Sequence, residues 1–222
     1  MCVRNRVASI VWKAIIVVVG IAGLIESGSK LPAGEFFFYF TSLSVMAAVA
    51  YFALSILVMV RAGRDSPWSV WAPTFKYLVT IAVTVTFLIA HFLLGGGLGT
   101  LGWEAYCLHY IVPIMTILDW LLFDPKGNMG RTDPLVWPLS MVAYFVYVLV
   151  MVYGFGVRMG GSLLDSRFPY AFIDIDALGV GQVAITVVVL VVAFVVLGYV
   201  FFGVDALLAR LASRRGTGAH EA

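Results

Sequence analysis

Six long apolar runs, separated by short polar stretches, fill nearly the whole chain. They fall at about 10–25, 36–60, 75–94, 105–123, 135–155 and 180–202, each close to the roughly 20 residues a helix needs to cross a hydrocarbon layer of about 30 Å. Strands of a membrane barrel would alternate in polarity over short segments. The run 183–202 is instead apolar on every face except at Thr186, which fits a helix that satisfies its own backbone in lipid. The pattern predicts an all-α polytopic membrane protein of six transmembrane helices. It predicts a single six-helix domain over 1–215 and a disordered tail at 216–222, with both termini on the cytoplasmic side.

Composition sharpens this picture. Hydrophobic residues make up 62% of the chain and charged residues 12%, too little polar surface to solvate a globule of this length. The first run follows Arg4 and Arg6 and contains Lys13. A signal peptide would share those features, but five further spans follow, so the run is read as a retained helix. Eleven basic residues (Arg4, Arg6, Lys13, Arg61, Arg64, Lys76, Lys126, Arg131, Arg210, Arg214 and Arg215) lie on one side of a six-span arrangement, and only Lys30, Arg158 and Arg167 on the other. That asymmetry sets the termini inside. The net charge of +2 is thus a topology signal and gives no reason to expect nucleic acid as a partner. Cys2 and Cys107 fall on opposite sides and cannot pair.

Beyond the runs, two segments stand out. The connection 156–179 is the longest and carries Pro169, Asp165, Asp174 and Asp176; long loops in compact bundles are often functional. Leucines at 207, 208 and 211 with arginines at 210, 214 and 215 predict a helical extension lying against the inner headgroups. There is no internal repeat.

Polar and small residues recur at helical spacing inside the apolar runs, which predicts a polar bundle interior. The second run shows Thr41, Ser44, Ala48, Tyr51 and Ser55, the third Thr80, Thr84 and His91, and the fourth His109, Thr116 and Asp119. The fifth shows Ser140, Tyr144 and Tyr147 and the sixth Gln182 and Thr186. Thr41, His91 and His109 share one level in the outer half of the membrane, each about three to five residues, or roughly 5–7 Å, from the outer boundary. An imidazole within reach of a threonine hydroxyl can take its proton as it attacks an ester carbonyl, so Thr41 with His109 or with His91 makes a candidate dyad. The structural alternative is a threonine bonded to the carbonyl four residues back and histidines that serve packing. A bis-histidine haem between His91 and His109 is a further reading. A zinc site would need Asp174 or Glu104 as a third ligand. Asp119, about 15 Å below His109, cannot orient that imidazole and is expected to accept an interhelical hydrogen bond. Asp174, Ser44, Tyr144, Tyr147 and Gln182 are candidates to face the cavity.

Three stretches carry a resemblance: Phe40-Thr41-Ser42-Leu43-Ser44, then His109-Tyr110-Ile111-Val112-Pro113 followed by Leu118-Asp119-Trp120, and Phe168-Pro169-Tyr170-Ala171-Phe172-Ile173-Asp174. In this order the chain resembles the androgen-induced protein family, and within it a bacterial six-helix branch. It departs from the family pattern at Val45, where asparagine is common, and at Ala171, where proline is usual. The animal members are membrane hydrolases that cleave fatty acid esters of hydroxy fatty acids with a threonine and a histidine. The resemblance therefore implies Thr41 as nucleophile and His109 as its base, and it gives His91 no role. It implies a lipid ester as substrate, membrane lipid as surroundings, a bacterial inner-membrane location and no cofactor. A lipid-binding or transport protein that uses the cavity without chemistry, and the haem protein, are the other classes.

Overall fold

A computed structural model describes residues 3, 5–32, 34–62, 71–93, 102–160 and 165–217. Cys2, Arg4, Arg64, His220 and the tail after 217 lie outside the described residues. Among the described residues all regular structure is helical, and six helices are long and apolar enough to cross a membrane. They are α1 (Arg6–Lys30), α2 (Phe40–Arg61), α3 (Pro73–Phe92), α4 (Trp103–Phe123), α5 (Asp133–Gly154) and α6 (Ile175–Thr217).

The helix ends follow local chemistry that hydropathy does not register. Asn5 starts α1 by accepting a hydrogen bond from the Ala8 amide at 3.0 Å, as side-chain caps do. The expected start of the second helix, at residue 36, moves to Phe40. The aromatic run before it folds as a short 3₁₀ turn, Glu35–Phe38, and Tyr39 is extended. Pro73 opens α3, where its missing N–H costs nothing. The last helix starts at Ile175, not near 180, and is interrupted at Gly179, whose φ of 77° and ψ of 157° only glycine adopts readily. At its far end the predicted extension is continuous with the span and carries residues 216 and 217 as helix, where a disordered tail was expected.

In α4, residues Cys107–Ile111 form a π turn, with the Val112 amide donating to the Cys107 carbonyl. The cause is readable: Pro113 has no N–H to return to the His109 carbonyl four residues earlier, and the turn opens by one residue. The widened turn lies against α1 at Gly23, where an added Cβ would come within 2.8 Å of the Cys107 Cβ. A small residue there lets the two backbones approach.

The core is built in three parts. Ile16, Val45, Phe52, Val83 and Val112 join α1 to α4. Tyr77, Trp120, Trp137, Phe194 and Phe201 join α3, α4, α5 and α6. Val148, Phe168, Ile173 and Val183 pack the long loop under α5 and α6. The two chain ends meet the same end of the bundle: the Val3 amide donates to Leu122, and Asp205 accepts from the Gly127 amide at 2.8 Å.

At that end a buried charge cluster links three helices. Lys13 of α1 reaches Asp119 of α4 at 2.7 Å, and Lys76 of α3 bridges Asp119 and Asp124, each at 2.5 Å. All four side chains are buried. Asp119 is an interhelical acceptor, and its partners are two ammonium groups, Lys13 and Lys76, from among the eleven basic residues counted on one side.

Candidate functional site

At the opposite end, where α2, α4 and α6 begin, a narrow pocket of about 50 Å³ opens between the helices. Its polar lining is Thr41 of α2, Thr86 of α3, His109 of α4 and the phenols of Tyr144 and Tyr170; Ile89, Met141, Phe145, Phe172, Leu190 and Val191 are among the apolar residues that make up the rest. α5 and α6 close together below it, where Gly198 is pressed on Pro134 and Trp137, and separate above to form two of its walls.

Thr41 is the second residue of α2. The other pocket threonine, Thr86, donates to the Ala82 carbonyl, and Thr80 and Thr84 likewise donate four residues back. Thr41 has no helical carbonyl in that position. Residue 37 lies beyond the extended Tyr39, and its carbonyl accepts from the Tyr147 hydroxyl at 3.4 Å. The structural alternative of a back-bonded threonine therefore does not apply to it.

His109 sits in the π turn, which re-aims a side chain relative to a regular helix. Its ring lies against the backbone of Thr86, and its Nδ1 is shielded from solvent with no hydrogen-bond partner. A carbonyl only accepts, so a neutral ring facing one carries its proton on that side and keeps a lone pair on the other nitrogen.

Ser44 lies one turn below Thr41. Its hydroxyl is within 3.0 Å of both the Thr41 carbonyl and the Thr86 hydroxyl. It does not line the pocket; it ties α2 to α3 at Thr86, whose backbone lies against the His109 ring. Tyr144 lines the pocket but gives its proton to the Phe38 carbonyl at 2.6 Å. Tyr147, Gln182 and Asp174 are not among the lining residues. Tyr147 fastens the segment before α2, and Gln182 is exposed with its carbonyl accepting from Thr186. Asp174 is the N-cap of α6: one oxygen accepts from the amides of Asp176 and Ala177 at 2.9 and 3.1 Å, the other from the Ser166 hydroxyl at 2.6 Å.

His91 is directed elsewhere. Its Nδ1 is 3.3 Å from the Tyr110 hydroxyl, its ring stacks on Phe87, and it is not part of the pocket wall. The paired-histidine arrangement that a haem would need is not what these contacts make, and among the described residues no three of His, Cys, Asp and Glu cluster as a metal set.

Tyr170, from the loop before α6, was quoted in a motif but not singled out as a site residue. The Phe40 amide donates to its hydroxyl at 3.0 Å, and the same oxygen lies against the amide and hydroxyl of Thr41. Withdrawal of that hydroxyl from solvent pushes the phenol up to about 12, against the backbone and hydroxyl contacts that pull it down.

Comparison with protein-family models, with curated proteins and with solved structures gives no match to this chain.

Proposed function

We propose that this chain is an integral-membrane lipid ester hydrolase in which Thr41 is the nucleophile and His109 its base. One observation carries the reading: a threonine hydroxyl released from back-bonding and an imidazole with an unpartnered Nδ1 line the same apolar pocket. The pocket's walls suit an acyl chain, and its ester group would lie at the Thr41 end, where the polar atoms gather.

In this mechanism Thr41 Oγ1 forms a bond to the ester carbonyl carbon as Nδ1 of His109 takes the hydroxyl proton. Collapse breaks the bond to the alcohol oxygen, which leaves with the proton from His109. Water then attacks the acyl-threonine, again giving a proton to the imidazole, and Thr41 recovers it as the fatty acid departs. Ser44 and the Thr86 backbone hold the two reacting groups in register from the side away from the pocket.

The arrangement across the membrane belongs to the same proposal. Both chain ends lie in the cytoplasm of a bacterial cell and the pocket opens in the outer half of the inner membrane. Two of the eleven basic residues on the cytoplasmic side, Lys13 and Lys76, are balanced by the buried carboxylates of Asp119 and Asp124; nine against three still favours this orientation. Reporters fused after Ala222 and within 156–179 should read cytoplasm and exterior; the reverse result refutes the orientation.

The activity test is turnover of a panel of long-chain esters, including fatty acid esters of hydroxy fatty acids, by detergent-purified protein beside Thr41→Ala. Release of fatty acid by the wild type alone is the expected result. Saturable ester binding without release in either protein would make the chain a lipid-binding protein.

A further inference from the structure

We propose that the phenol of Tyr170 donates the hydrogen bond that stabilises the ester's carbonyl oxygen as it becomes an oxyanion. The inference rests on the reading of Thr41 as nucleophile and adds to it a group that the sequence patterns left unassigned.

Three features of the site lead to it. Tyr170 lines the pocket beside Thr41 and His109, and its oxygen is in contact with the Thr41 hydroxyl. When Oγ1 of Thr41 bonds to the carbonyl carbon, the developing oxyanion is only two bonds from Oγ1, so a donor that reaches one of these oxygens in the free protein reaches the other in the tetrahedral state. The Thr41 hydroxyl loses its proton to His109 in the same step, which frees the phenol proton to follow the new negative charge.

The second feature is what stands behind the phenol. Phe40 is the first residue of α2, and its amide is one of the N–H groups that a helix leaves without an intrahelical acceptor. It donates to the Tyr170 oxygen, with the Thr41 amide beside it. A phenol oxygen that accepts from the positive end of a helix is a stronger donor through its own O–H. The Phe40 amide also fixes where that O–H starts, so little reorganisation accompanies the reaction.

The third feature is a contrast among the aromatic residues. Tyr144 is on the same pocket wall, its ring centroid 6.3 Å from that of Tyr170, yet its proton is committed to the Phe38 carbonyl. Tyr170 accepts from the Phe40 amide, and the acceptors within reach of its own proton are hydroxyl oxygens, those of Thr41 and Tyr144, at the pocket wall. Of the two phenols in the pocket wall, that of Tyr170 combines contact with Thr41 and a proton not held by a backbone carbonyl.

The experiment compares Tyr170→Phe, Tyr144→Phe and Thr41→Ala in the full chain, with ester turnover, KM and rate of Thr41 modification by a fluorophosphonate measured for each. Tyr170→Phe should lose about 10²-fold or more in kcat, the usual effect of removing one oxyanion donor, with KM within a few-fold of wild type and a matching fall in the modification rate. Tyr144→Phe should lower kcat by clearly less than Tyr170→Phe, because the Tyr144 proton is held by the Phe38 carbonyl; an equal or larger loss in Tyr144→Phe overturns the assignment to Tyr170. A fluorinated tyrosine placed at 170 should restore turnover near neutral pH and bring the alkaline loss of activity to lower pH, because its phenol is more acidic; a purely structural tyrosine would not shift that limb. Unchanged kcat in Tyr170→Phe, or an unchanged pH profile with the fluorinated residue, overturns the assignment. If Thr41→Ala itself turns over normally, the nucleophile reading fails and the Tyr170 role falls with it. If Thr41→Ala is inactive while Tyr170→Phe is unaffected, only the Tyr170 role falls.

Discussion

The two ends of this bundle bury polar groups for opposite purposes. At the end that holds both termini, Lys13, Lys76, Asp119 and Asp124 pair with one another across α1, α3 and α4. Desolvating four charges is costly, and short contacts between opposite charges offset that cost only while every partner is present. At the other end the pocket lining holds no Lys, Arg, Asp or Glu: Nδ1 of His109 is unpartnered, and the Thr41 hydroxyl has no helical carbonyl to bond and meets the Tyr170 hydroxyl instead. Saturation fixes how helices pack, whereas unsatisfied groups facing an apolar pocket are what chemistry needs. The difference tells which end of a membrane bundle to search for function: charge density points to the first, and hydrogen-bond accounting to the second.

The largest effect expected is one that separates the ends completely. Thr41→Ala and His109→Ala should each lower ester turnover by about 10⁴-fold, as loss of a nucleophile or its base does, while the detergent-solubilised proteins keep their melting temperature and elution profile. Neither substitution strands a buried charge or opens a packed core cluster. A melting temperature that falls in step with activity would mean that these residues hold the fold, and the comparison would collapse.

Asp119→Ala should do the reverse. It leaves the Lys13 ammonium without its counter-charge, held by the Ser9 hydroxyl alone, and Lys76 with Asp124 alone, in surroundings with almost no exposure. Breaking a buried pair in this way destabilises by about 3–5 kcal/mol, read as a large fall in the thermal midpoint or loss of monodisperse protein. Pairing Asp119→Leu with Lys13→Met, which keeps Lys76 and Asp124 as a neutral couple, should recover much of the loss. No recovery would show that the cluster matters for something other than charge balance.

How far the sequence could be read follows the same division. Six apolar runs are enough to place six helices, because span length and hydropathy are properties of the run itself. The start of α2 was misplaced by four residues because Phe36, Phe37 and Phe38 are as apolar as any helix; what ends the 3₁₀ turn is the extended Tyr39, a conformation hydropathy does not encode. Lys13 and Lys76 were counted as boundary charges because composition does not show that acids from α4 meet them. Asp174 directly precedes α6 and so carried a readable capping signal, yet its place on the outer loop made it look like a site residue. Shared depth singles out Thr41, His91 and His109, the resemblance chooses His109 over His91, and the pocket lining holds both Thr41 and His109. Ser44 lies outside the pocket lining and bonds Thr86, a contact between helices that spacing along a single run does not encode. Tyr170 was overlooked because its value depends on a helix start that the sequence misplaced.

The smallest effect sharpens the comparison by touching both properties at once. Gly23 of α1 faces the π turn that carries His109, and a methyl group there would stand 2.8 Å from the Cys107 Cβ and 3.0 Å from Leu108 Cδ2. The leucine end can rotate away, but the Cys107 Cβ is fixed to the backbone of the turn, so α4 itself must give. Overpacking of this kind costs about 1–3 kcal/mol, less than the loss of Asp119, and Gly23→Ala should lower the thermal midpoint accordingly. The displacement is applied two residues before His109, whose aim at the pocket depends on the turn, so kcat should fall by about tenfold or more while the buried charge cluster stays paired; misplacement of a reacting group by a fraction of an ångström is enough for that. Gly20→Ala is the companion: its methyl group would meet the Val49 Cγ2 of α2 at 2.5 Å, also an overpacked contact, while Val112 at the end of the π turn stays at an ordinary 3.7 Å. It should lower stability with turnover near wild type. Equal loss of activity in the two variants would mean that the bundle transmits any strain in α1 to the site, and the π turn would have no special part in positioning His109.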